Sequence, residues 1–236
     1  MRIRPALTLC ALLAGPALAL AEPAAEPVRQ LGVYVLPYYE AGATFAEAPK
    51  VAVDPAYDKL LASMRQADIK KARDAIAAHP EMVRPETMMV LAIRLYDVGL
   101  RDDALFWYYA GRDRFLTMDA VLDMRSLRLI KVAESIESFV GAIGGAMDGY
   151  AYCDVAHHKE REDRAIAWVA KNPYALLGDA SLPALQEDRN AALADALARL
   201  QQGSARSQDF LMTPQGQAKL ADVRQRSQAD ARFCWK

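Results

Sequence analysis

Residues 95–110 read Leu95-Tyr96-Asp97-Val98-Gly99-Leu100-Arg101-Asp102-Asp103-Ala104-Leu105-Phe106-Trp107-Tyr108-Tyr109-Ala110. A glycine after an apolar run suits the left-handed backbone that ends many helices, because it has no Cβ to clash there. The aspartates that follow sit well at the positive end of a second helix. The stretch therefore predicts two helices joined by a tight turn at Gly99. The first starts near Pro85, and the second runs from about Asp102 to Phe115. Phe106-Trp107-Tyr108-Tyr109 covers the whole circumference of that second helix, so the four rings cannot share one core face. Trp107 and Tyr108 are expected to fill the interior, with Phe106 and Tyr109 packed on neighbouring helices. Alternatively, one face lines a partner groove with Tyr96 and Arg112, since Tyr, Trp and Arg are enriched at binding hot spots. Asp113 is expected to be exposed.

Working outward, Ala67-Asp68-Ile69-Lys70-Lys71-Ala72 repeats the pattern of a tight turn entering a helix, here about Ile69 to Ala78. Ala72 and Ala104 lie 32 residues apart, near the roughly 34-residue period of helix-pair repeats. A short side chain is needed where two helix backbones cross.

The pattern Leu95-Tyr96-x-x-Gly99-x-x-x-Asp103-Ala104-x-x-Trp107-Tyr108-x-Ala110 resembles the core of a tetratricopeptide or Sel-one-like repeat. One good copy and one degraded copy cover about residues 55–116. The next alanine would fall near 136, where Ile136 stands. The resemblance implies stacked helix hairpins and a protein-binding habit. It gives Gly99, Ala104, Trp107 and Tyr108 structural roles and leaves Tyr96, Phe106, Tyr109 and Arg112 as candidate partner contacts. It implies no chemistry.

Downstream, Leu122, Leu129, Ile136 and Ile143 recur every seven residues, with Val132, Phe139 and Ala146 between them. This predicts one long helix from Asp119 with a buried face. Gly141, Gly144 and Gly145 lie off the stripe, and each costs about 1 kcal/mol relative to alanine in a helix interior. The helix is expected to end there, or another backbone to pack closely against it. Further helices are expected around 152–171 and 182–201. A last one starts at Thr213-Pro214, a good cap and first position, and runs to about Ala231.

The other end of the chain has a different character. Arg2 and Arg4 precede an uncharged run from Pro5 to Ala21 that closes on Ala19-Leu20-Ala21, the pattern of a secretory signal peptide. Residues 1–21 are read as that signal, cleaved after Ala21, and residues 22–30 as a flexible leader. Residues 31–54 form a short β element, with strands at 31–36 and 50–53 joined by the loop around Gly42. Residues 55–236 form the helical domain.

With 29 basic and 30 acidic residues the chain is near neutral, and losing Arg2 and Arg4 leaves 27 against 30. That balance gives no electrostatic reason to expect nucleic acid or an anionic membrane as partner. Cys153 and Cys234 remain after cleavage and read most simply as one disulfide in an oxidising compartment. Cys153 and His157 are four apart, so a metal grip on one helix face is the alternative. Sequence signatures of nucleotide loops, serine hydrolases and zinc proteases are missing.

The expected protein is thus mainly α: a compact bundle of antiparallel helix hairpins, repeat-like, with a small N-terminal β element. Its expected role is periplasmic and non-catalytic, recognising another protein as an immunity or inhibitor protein or an assembly factor. Neither cofactor nor metal is expected, nor membrane insertion after cleavage. An envelope hydrolase of unrecognised class, or a metal handler using Cys153 and His157, is the alternative.

Overall fold

The computed structural model describes residues 25–235, so the expected signal segment and its cleavage site lie outside the described residues. The architecture is mainly α with a small antiparallel sheet near the N-terminal end. The sheet has three very short strands, β1 (Tyr34–Val35), β2 (Tyr39–Glu40) and β3 (Lys50–Val51), in the order β1-β2-β3. Val35 faces Tyr39, and Tyr39 faces Val51. The expected outer strands are present in shortened form. The middle strand was not expected, because Pro37 reads as a stop whereas the chain turns there and pairs back.

Residues 25–30, expected as a flexible leader, are tied down. Ala25 N–H donates to Gln228 Oε1 at 2.9 Å, and Val28 N–H donates to the Arg232 carbonyl at 2.8 Å. Irregular backbone still has donors to satisfy, and the C-terminal end of the chain supplies the acceptors.

Helix α1 (Asp58–Leu61) follows a turn in which Asp58 Oδ1 accepts from Val53 N–H and Asp54 N–H. Helix α2 (Gln66–Ala78) buries Ile69, Ala72 and Ile76, its apolar face. Helix α3 (Pro85–Asp97) is buried on every side from Met88 to Tyr96 and forms the centre of the core. Gly99 has φ +82°, the left-handed conformation the turn requires. Helix α4 (Arg101–Val121) then folds back against α3, with Ala104 fully buried.

The seven-residue stripe is divided between two cores, which corrects the single long helix. The chain leaves α4 at Leu122 in extended conformation, and helix α5 (Ile130–Ala151) begins only after a turn. Asp123 N–H donates to the Pro183 carbonyl at 2.9 Å, and Leu185 N–H donates to the Val121 carbonyl at 3.0 Å. This pairing with a distant loop satisfies the backbone outside a helix. Leu122 and Leu129 join a satellite core with Met118, Tyr174 and Leu177, whereas Ile136, Phe139 and Ile143 face the main core.

The glycines do not end α5. A Cβ at Gly144 would lie 3.0 Å from the Tyr108 hydroxyl, so the close approach is to a side chain rather than another backbone. After a 3-10 segment (Tyr152–His157) come helix α6 (His158–Lys171), helix α7 (Arg189–Met212) and helix α8 (Pro214–Arg226). Helix α7 begins and ends later than expected: Asp188 accepts from Ala191 N–H to cap it, and it runs on to Thr213. Thr213 caps α8 by accepting from Gly216 N–H at 3.0 Å. The last helix is interrupted at Gln228, φ 50°, and resumes as α9 (Ala229–Phe233). Cys153 and Cys234 are joined by a disulfide that spans a sequence separation of 81, anchoring α9 beside the end of α5.

Candidate functional site

Every expected site residue has a definite place. Tyr96 is fully buried, and its hydroxyl donates to the Val28 carbonyl at 2.9 Å. Tyr109 is also buried, with Tyr108 and Trp107. Tyr96 and Tyr109 therefore do not form a partner-contacting surface, which corrects that assignment: the N-terminal segment at Val28 lies against Tyr96 of α3, and α6 packs His158 against Tyr109 of α4. Phe106 is half-buried and packs edge-on against Trp107 and Trp168. Cys153 is held in the disulfide, and His157 Nδ1 is 2.8 Å from Asp154 Oδ2. Among the described residues no cluster of three metal-ligating side chains occurs.

Arg112 marks a polar cluster inside the bundle. Its Nη2 lies 3.0 Å from Asp113 Oδ1 and 3.5 Å from Glu162 Oε1, and its guanidinium covers the Tyr109 ring. His158 stacks on Tyr152 with centroids 4.6 Å apart and lies 3.9 Å from Glu162. Asp113, expected on the surface, is 0% exposed. The side of α4 that faces α6 is closed, with Glu162 of α6 lying 3.5 Å from Arg112. Burial pushes the Asp113 carboxyl up to about 6, against the pull of Arg112. Burial also lowers the pKa of His158, so the neutral imidazole is favoured. Asp113 Oδ2 and the Tyr109 hydroxyl have no hydrogen-bond partner among the described residues. The cluster links α4 to α6 and to the 3-10 segment at Tyr152.

Next to this cluster lies an open groove of about 760 Å³, within the 300–1,000 Å³ range of ligand-sized pockets. Its floor is α5, where Gly141 and Gly145 lie one turn apart and a Cβ at either would meet nothing within 4 Å. One wall is the segment around Leu31 and Val33; the other is Phe210 of α7 with Leu220 and Val223 of α8. Gly149, one turn on, is covered by the Phe233 ring, which closes that end. Asp148 and Tyr152 line the groove where it meets the polar cluster. Asp148 opens to solvent, yet the protein crowded around it raises its carboxyl pKa, moderated by Arg112. The sequence carried a trace of this site: glycines at 141, 145 and 149 recur every four residues. What opposes them comes from the two ends of the chain, so it could not be read locally.

These features define a mainly helical, disulfide-linked protein with an apolar groove built from both chain ends. No family model matches the chain, and no solved structure matches it. A protein of Haemophilus influenzae (strain ATCC 51907 / DSM 11121 / KW20 / Rd), described as an uncharacterized protein, is 30% identical over 210 residues, covering 89% of this chain and 81% of that protein. The chain belongs to the same family as that protein.

Proposed function

We propose that this protein is exported to the periplasm and acts there as a non-catalytic recognition module that binds another protein in the α5–α8 groove. The groove is the observation that carries the reading. It exposes Phe210 and Val223 at 41% and 45% beside the open glycine floor. Contiguous apolar surface of this kind marks interaction sites rather than ordinary solvent-facing protein. The Ala-Leu-Ala ending of residues 19–21 supports export. So does the Cys153–Cys234 disulfide, because such bonds persist in oxidising compartments. The α3–α4 hairpin, with the left-handed Gly99 at its turn and Ala104 buried, supports kinship with tetratricopeptide-like repeats at the level of the fold. An immunity protein, an inhibitor or an envelope assembly factor would each use such a groove.

The test is site-specific photo-crosslinking in intact cells. A photoreactive residue replacing Val223 is expected to give a discrete protein adduct in the periplasmic fraction. The adduct should disappear when Gly145→Trp fills the floor. Absence of an adduct, or one indifferent to Gly145→Trp, rejects the groove as the recognition surface.

A further inference from the structure

We infer that the groove seats about two turns of an amphipathic helix from the partner, apolar toward α5 and acidic along its edges. The inference rests on the groove being a protein-binding surface, and it adds the shape and charge of what enters.

The shape follows from the floor. Gly141 to Gly149 spans eight residues of α5, roughly 12 Å at the helical rise, before Phe233 closes the end. A helix lying on another keeps its axis about 8–10 Å away, closer where side chains are small. Gly141 and Gly145 provide such a seat. Each weakens α5 relative to alanine, and neither is required by the chain's own packing, since a Cβ there would touch nothing. The space they leave faces outward.

The charge follows from the rim. Lys219, Arg224 and Arg232 line the groove, against Asp148 as the one acid among its lining residues. This basic rim belongs to a chain whose formal net charge is −1. Arg224 is already engaged with the Tyr152 carbonyl and Asp230. Lys219 makes no ion pair among the described residues, and Arg232 lies over the Phe233 ring with a long 3.5 Å contact to the Ser227 carbonyl but no carboxylate partner there. Lys219 and Arg232 thus retain capacity for carboxylates on the edges of an incoming helix. Such rim charges select partners and speed encounter.

The experiment is a display selection of random helix-forming peptides on the protein purified from the envelope. Enriched peptides are expected to repeat apolar residues at i, i+3 or i+4, and i+7, flanked by Asp or Glu. They should bind at least tenfold more weakly to the Lys219→Glu, Arg232→Glu double variant and be lost with Gly145→Trp. No enrichment, or enrichment of basic, uncharged or extended peptides, overturns the inference. So does binding that ignores Gly145→Trp. Dodecyl phosphate bound in place of any peptide, with the same variant sensitivity, would assign the groove to an anionic amphiphile instead. A concentration-dependent dimer in sedimentation, abolished by Gly145→Trp, would assign it to a second copy of this chain. If the Val223 adduct in cells survives while the peptide prediction fails, the partner is a protein but not an acidic helix. If the adduct is absent, the proposed function itself has failed.

Discussion

Arg94 Nη1 and Asp97 Oδ2 meet at 2.6 Å on the last turn of α3, with side chains only 3% and 5% exposed. The pair joins three parts of the chain. Asp97 Oδ1 accepts Leu31 N–H at 2.7 Å, while Arg94 donates to the carbonyls of Leu61 and Ser63, both at 3.0 Å. Removing one partner of a buried pair strands the other charge, at a cost of about 3–5 kcal/mol. Arg94→Ala is therefore expected to lower stability by that amount in urea melts and to loosen residues 25–40 in hydrogen exchange. A change below about 1 kcal/mol would show that the N-terminal segment is held by other contacts.

The α5 glycines separate into two kinds. Gly141 and Gly145 face open space, so Gly141→Ala and Gly145→Ala should each stabilise the protein by up to about 1 kcal/mol through helix propensity. Gly149→Ala meets the Phe233 ring and should destabilise instead, by roughly 1–3 kcal/mol for overpacking of a filled site. Thermal unfolding of the three variants measures the contrast. Stabilisation by all three would mean that α9 does not sit on Gly149.

Burial raises the pKa of several core carboxyls, Glu86, Asp97 and Asp113 among them. Glu86 is 1% exposed with both oxygens unpartnered among the described residues, and desolvation raises its pKa. Asp113 moves from 3.8 to about 6 for the same reason. A raised folded pKa means that the folded state binds the proton more tightly than the unfolded chain. The resulting stability is fully present below about pH 4 and is lost as pH rises through about 6. For Asp113 the two-unit shift corresponds to roughly 3 kcal/mol. Glu86→Gln should stabilise the protein at pH 7.5 and flatten the decline of its urea midpoint between pH 4.5 and 7.5. A wild-type midpoint that rises over that interval would contradict the assignment.

The disulfide closes a loop with a sequence separation of 81 between Cys153 and Cys234. In the chain-entropy model such a loop is worth about 4 kcal/mol. The double variant Cys153→Ser, Cys234→Ser should lower Tm and leave α9 more open to proteolysis, since Cys234 directly follows Phe233. Unchanged Tm and an unchanged cleavage pattern would show that α9 is held by Phe233 and by Arg101, which donates to the Phe233 carbonyl at 2.8 Å.

Local chemistry was enough to read the α3–α4 hairpin. The apolar run, Gly99 and the two aspartates are neighbours in sequence, and the turn depends on nothing farther away. The pairing of Cys153 with Cys234 followed from there being two cysteines after Ala21. The 122–129 break was not legible, because a seven-residue apolar period continues across it. The Pro183 carbonyl and Leu185 N–H, some sixty residues on, pair with the backbone there outside a helix. Asp113 was misplaced for a related reason: exposure on a helix is a property of what covers it, and α6 covers that side. The groove depends still more on tertiary structure. Its glycine floor lies in one helix, but its walls come from Leu31 and from Val223, nearly two hundred residues apart. Sequence determined which segments turn, cap and bury a face, because those preferences act within a few residues. Packing alone decided which faces meet, and so where a partner could enter.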